Sequence, residues 1–157
     1  MKTINKSIQI WDAPYVRIAF IVSILVLTVF STSISIAEAP PPTTIGISGK
    51  VSGSSGTVAL EATAKGTTSS LVGRGAGVHI NFASEARFTL TGSISGSVVT
   101  LTGAVTQSGF AALIGTPVSI VADASTGTIT HIFGPIAGGP LAGVTLTFTG
   151  TGTVVIN

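Results

Sequence analysis

Acid–base or nucleophilic chemistry in the body of this chain would have to run through His79 or His131. The 157 residues contain two histidines and no cysteine. A nucleophilic Ser or Thr needs such a base beside it and an orienting group behind the base. His79 lies in the run Val78-His79-Ile80-Asn81-Phe82. Alternation there sets the apolar residues on one face and His79 with Asn81 on the other, which predicts a solvent-facing imidazole. His131 shares its face with Ile129 and Phe133, which predicts a hydrogen-bonded histidine in the core or at its rim. No HxH or HxxxH spacing joins the two, so only tertiary structure could bring them together at a metal.

A carboxylate pair for glycoside hydrolysis would have to come from Glu61, Glu85 and Asp123. Glu61 and Glu85 fall on the polar register of their runs, where solvated residues belong. Glu85 is two residues from Arg87, and that spacing predicts a surface ion pair of small energetic weight. Asp123 opens the turn sequence Asp-Ala-Ser-Thr-Gly, where its side chain can accept from an N–H two residues on. Gly73-Arg74-Gly75-Ala76-Gly77 lacks the GxGxxG spacing, a following helix and a Walker lysine, so it predicts a bulge or hairpin instead of a phosphate cradle. The expectation is a non-enzymatic protein with no catalytic residue, no metal ligand and no cofactor.

The elements that would position these residues are short strands. All 20 glycines lie between Gly46 and Gly152. Between them apolar residues alternate with Thr, Ser or Gly, the mark of half-buried strands joined by tight turns. Runs with inward apolar residues are predicted at 57–64, 77–83, 85–91, 98–106, 117–122, 128–133 and 144–149. Val154 and Ile156 close the series, and Ile45, Ile47 and Val51 open it. About nine strands result, with turns at Ser54–Gly56, Ser95–Ser97 and Asp123–Gly127. Their spacing predicts an all-β, single-domain antiparallel sandwich or small barrel. Phe110–Ile114 reads as a buried strand or one helical turn, and residues 134–143 as a loop able to cap one end of a barrel.

Ahead of this body stands a different composition. Residues 1–17 carry Lys2, Lys6 and Arg17 against Asp12, and residues 18–36 are uncharged. A basic start, an apolar run and small residues before a polar segment predict an export signal over residues 1–37, cut after Ala37. The competing reading is an uncleaved membrane anchor through residues 18–36, since nineteen residues approach the ~20 needed to span a bilayer. In both, the positive flank leaves the body outside. Residues 38–44, with Pro40-Pro41-Pro42, predict a stiff spacer, and residues 45–157 the exported domain.

Removing the leader removes the apparent basicity. The sequence pI is about 9.4. Beyond Ala37, however, Lys50, Lys65, Arg74 and Arg87 balance Glu38, Glu61, Glu85 and Asp123. A formally neutral body offers no basic patch for phosphates, and nucleic acid is not an expected partner. So few charges imply a surface covered by hydroxyls, glycans or other subunits. Threonine indeed recurs at every second position over 145–153, and at Thr89, Thr91, Thr100 and Thr102. Strand propensity accounts for this pattern; O-glycosylation or a surface-binding hydroxyl array are its alternatives.

The functional expectation is an extracellular or cell-surface structural or adhesive protein, with partners among cell-envelope components or copies of itself. Self-association would use the sparsely charged terminal segments Thr43–Ser52 and Gly143–Asn157 as strand edges. The alternative is a small barrel carrying an apolar ligand. A hollow of a few hundred cubic ångströms would favour that carrier over a packed sandwich.

Overall fold

The computed structural model describes residues 39–80 and 84–157. The export signal or anchor expected over 1–37 lies outside the described residues, as do Asn81 and Phe82.

Period-two alternation becomes a closed barrel of antiparallel strands. In chain order these are β1 (Thr43–Gly53), β2 (Gly56–Thr67), β3 (Ser70–His79), β4 (Ser84–Ser95), β5 (Val98–Ser108), β6 (Pro117–Asp123), β7 (Thr128–Phe133) and β8 (Leu146–Ile156). Each pairs with its sequence neighbour, and β8 returns to pair with β1 from Ile45↔Ile156 to Ser52↔Thr149. Helical structure among the described residues is confined to two 3-10 turns, Ala111–Leu113 and Gly139–Leu141. The spacer is shorter than expected, because Thr43 and Thr44 already pair in β1.

Eight strands stand where about nine were expected. The runs 144–149 and 154–156 are parts of one strand, β8, which continues through Gly150 and Gly152. These glycines mark close approach and not a turn: a Cβ at Gly152 would overlap the Ser48 carbonyl and lie 2.8 Å from Ile129 Cδ1. The facing Gly49 is equally tight, 2.9 Å from the same methyl. Ile129 thus occupies space that side chains on β1 and β8 would otherwise need.

The apolar residues of most runs point inward as expected. Leu60, Leu90, Val99, Leu101, Ile120 and Ile129 are fully buried. β3 is the exception. Leu71 is buried, whereas Val72 and Val78 are exposed and Ile80, just past the strand, is 47% exposed. The inward register of β3 is carried by Gly73, Gly75, Gly77 and His79, not by Val78 and Ile80. The cause is Phe88 on the neighbouring strand: a Cβ at Gly75 would overlap the ring at Cε2. The glycine alternation of 73–77 is neither a bulge nor a hairpin; it makes room inside the sheet for a side chain from next door.

The two ends of the barrel differ. One end is closed by the short turns 67–70, 95–98 and 123–128, beneath which aliphatic side chains pack. At the other end, alongside the Ser54-Ser55 turn, the three connections 79–84, 108–117 and 133–146 include the longest in the domain. The sheet is also irregular at this end. β4 and β5 slip register between Arg87 and Phe88, leaving Thr106 and Gln107 both exposed. A bulge at a barrel rim re-aims the residues beside it.

Candidate functional site

The interior at the long-loop end is not filled. A cavity of about 440 Å³ opens there. An eight-stranded barrel is just wide enough either to be filled by its own side chains or to hold one small molecule. This one does both at different heights. Its walls are Val58, Ala86 and Leu146 with the rings of Phe88, Phe133 and Phe148; Leu113 and Ile136 come from the loops. Phe110 and Leu141 stand at the rim, 58% and 53% exposed. No Asp, Glu, Lys or Arg is among the described lining residues. Among these, polar side chains come from Ser55, Ser84, His79 and His131.

The loops above the cavity are fixed by main-chain bonds. Ile136 N–H donates to Val144 and Gly143 N–H to Ile136, which folds 134–144 back on itself. Thr116, fully buried, ties this loop to its neighbour: its hydroxyl accepts from Ala137 N–H at 3.1 Å. Its carbonyl accepts from Val105 N–H at 2.9 Å. Nothing in the sequence singled out Thr116, since a Thr before a Pro reads as an ordinary strand start.

Both histidines reach this cavity. The expectation that His79 faces solvent is wrong: with β3 turned over, His79 lies at the rim, half-buried. Its Nε2 donates to the Ser55 carbonyl at 2.9 Å. The ring meets Phe148 edge-on at 6.4 Å. His131 lies deeper, only 2% exposed. Its ring stacks on Phe88 at 6.0 Å and on Phe148 at 5.9 Å, and leans on Phe133. Burial pushes its pKa down to about 4, with the Ser119 main chain pulling weakly the other way. The imidazole is therefore neutral at physiological pH. Its Nδ1 has no hydrogen-bond partner among the described residues. The expected hydrogen-bonded core histidine is thus buried but incompletely satisfied, which costs stability in an apolar setting.

The three carboxylates lie elsewhere. Glu61 is exposed on the outside of β2. Glu85 also faces out, and accepts from Arg87 Nε at 2.6 Å. Asp123 sits at the short-turn end. Its Oδ1 accepts from Ser125 N–H at 2.9 Å and from the Ser125 hydroxyl at 2.7 Å. Those bonds, the hydroxyl's first, hold its carboxyl below the usual carboxylate range. No acid among the described residues backs either imidazole in the cavity. The chemistry on offer is apolar enclosure with two hydrogen-bonding imidazoles, the deeper of them neutral.

Comparison with protein-family models, with curated proteins and with solved structures finds no match to this chain.

Proposed function

We propose that the protein is a non-enzymatic binding protein that holds one small apolar molecule at the long-loop end of its barrel. The observation that carries this reading is the unfilled, almost wholly apolar space of about 440 Å³. Protein interiors close-pack, and voids larger than a water are few. Pockets for small ligands typically run from about 300 to 1,000 Å³ and are apolar with a few placed polar groups. Between the two functions the sequence left open, the carrier therefore gains over the purely structural or adhesive protein. An adhesive role by strand donation also loses its means, because β1 and β8 satisfy each other. Among the described residues no acid stands beside either histidine to support catalysis. The basic and apolar leader of residues 1–37 supports export, so the ligand would be met outside the cytoplasm or at the cell surface.

Titration with the neutral fluorophore N-phenyl-1-naphthylamine tests the reading directly. The sequence has one Trp and one Tyr, Trp11 and Tyr15, both ahead of the described residues, so probe emission is read against little protein background. The expected outcome is a saturable, one-to-one rise in emission that is abolished by Ala112→Trp, a change that fills the cavity from its rim. Absence of saturable binding, or full binding in the filled variant, would overturn the proposal.

A further inference from the structure

We infer that the cavity selects an uncharged ring-bearing ligand with a single hydroxyl group that donates to Nδ1 of the His131 imidazole. This inference rests on the cavity reading and specifies the ligand's chemistry. Three independent features of the site lead to it.

The first is the shape of the deep wall. Phe88, Phe133 and Phe148 surround the His131 ring at centroid separations near 6 Å. Aromatic walls favour planar partners through offset-stacked and edge-to-face contacts. A volume of about 440 Å³ suits one or two fused rings, or a chain of similar bulk.

The second is the unmet bonding capacity of His131. A neutral imidazole carries one donor and one acceptor nitrogen. This ring is 2% exposed, lines the cavity, and has Nδ1 without a partner among the described residues. A buried polar atom left unpaired is costly, and the cost is relieved when a ligand supplies the missing partner. Sites of this kind discriminate against analogues lacking the polar group far more strongly than apolar walls discriminate by size. A phenylalanine at position 131 would have packed the same aromatic cluster without that cost, so the imidazole is explained by what it can bond.

The third is charge. The described lining contains no side chain of either formal charge, and the deep histidine stays neutral because burial disfavours its protonation. A carboxylate or ammonium entering the cavity would lose its hydration without meeting a counter-charge. The ligand's polar group is consequently neutral.

Three probes of one shape separate these elements: naphthalene, 2-naphthol and 2-naphthoate, measured by calorimetry at pH 7 against the full chain. The expected order is 2-naphthol tightest, with naphthalene and 2-naphthoate each weaker by about tenfold or more, the scale of one hydrogen bond in a dry site. In His131→Phe, naphthalene binding should persist while the advantage of 2-naphthol falls to about threefold or less. On the wild-type protein, 15N resonances of the His131 ring should shift on saturation with 2-naphthol and stay in place with naphthalene. That measurement decides the matter even if the variant fails to fold. Equal binding of naphthol and naphthalene, tighter binding of naphthoate, or an unchanged His131 signal would overturn this inference while leaving the cavity reading intact. Failure of all three probes to bind would overturn both.

Discussion

His131 and His79 show how far a residue's chemistry depends on the strand that carries it. On β7 the neighbours Ile129 and Phe133 are large and buried, so their period carried His131 inward, as the alternation implied. On β3 the same rule failed for His79, because the inward positions beside it are glycines and the apolar residues face out. Alternation reports which face a large side chain prefers; it does not report a face filled from the neighbouring strand. The buried imidazole has a consequence for stability. Its pKa is about 4 in the folded protein against an ordinary 6.5. The unfolded chain therefore binds the additional proton between these values. Stability is fully present above about pH 6.5 and falls as pH drops towards 4, by about 3 kcal/mol over the window. Urea denaturation at successive pH values should show that slope in the wild type and lose it in His131→Phe. A slope that survives the substitution would assign it to another group. Asp123 titrates lower, its carboxyl held down by Ser125, so its contribution is lost only in more acidic solution.

At the scale of elements, β3 and β4 form a matched pair. Gly73, Gly75 and Gly77 leave a smooth inner surface, and Phe88 fills the space beside Gly75. Replacing Gly75 by Ala places a methyl against the Phe88 ring and 2.8 Å from the Glu61 carbonyl oxygen. Overpacking of this kind costs about 1–3 kcal/mol. Phe88→Leu removes the obstructing ring, so the double variant should be more stable than the sum of the single losses by about 1 kcal/mol, within the range of contact coupling. Strict additivity in a double-mutant cycle would refute the pairing. The strands themselves were largely legible: 128–133 coincides with β7, and 117–122 with all but the last residue of β6. Two glycines in β8 disguised one strand as two, since glycine signals both a turn and a close approach of backbones. The cavity was illegible for a related reason. A pattern identifies inward positions, but whether eight inward faces fill the space between them is fixed by bulk across the barrel. The loop over 134–143 was expected to cap one end and does so, while the contact through Thr116 that fastens it had no local signature.

For the whole molecule, closure determines what so few charges permit. The interior is apolar and the outside is rich in hydroxyls: Thr91, Thr102 and Ser119 lie side by side across β4, β5 and β6. Transmembrane barrels show the opposite arrangement, an apolar band outward and polar residues within. A neutral outer wall of threonine would be a hazard if the sheet were open, because uncharged strand edges invite pairing with other chains. Here the two weakly charged terminal segments are paired with each other along β1 and β8. The seam is narrow. Gly49 faces Gly152, and each would place a Cβ within 3 Å of Ile129 Cδ1. Gly152→Val should therefore wedge β8 away from β1, since its side chain would also overlap the Ser48 carbonyl. Freed of their partner, both strands would present unpaired N–H and C=O groups with Lys50 as the single charged side chain along 43–53 and 146–156. Light scattering of the chain from Glu38 should then show a monomer for the wild type at all concentrations and concentration-dependent oligomers for Gly152→Val. Adding Thr149→Lys to the wedge variant should reduce those oligomers by placing charge on the exposed edge. Oligomers of the wild type with its seam intact, or a monomeric and fully stable Gly152→Val, would mean that closure of β1 on β8 is not what keeps this barrel single.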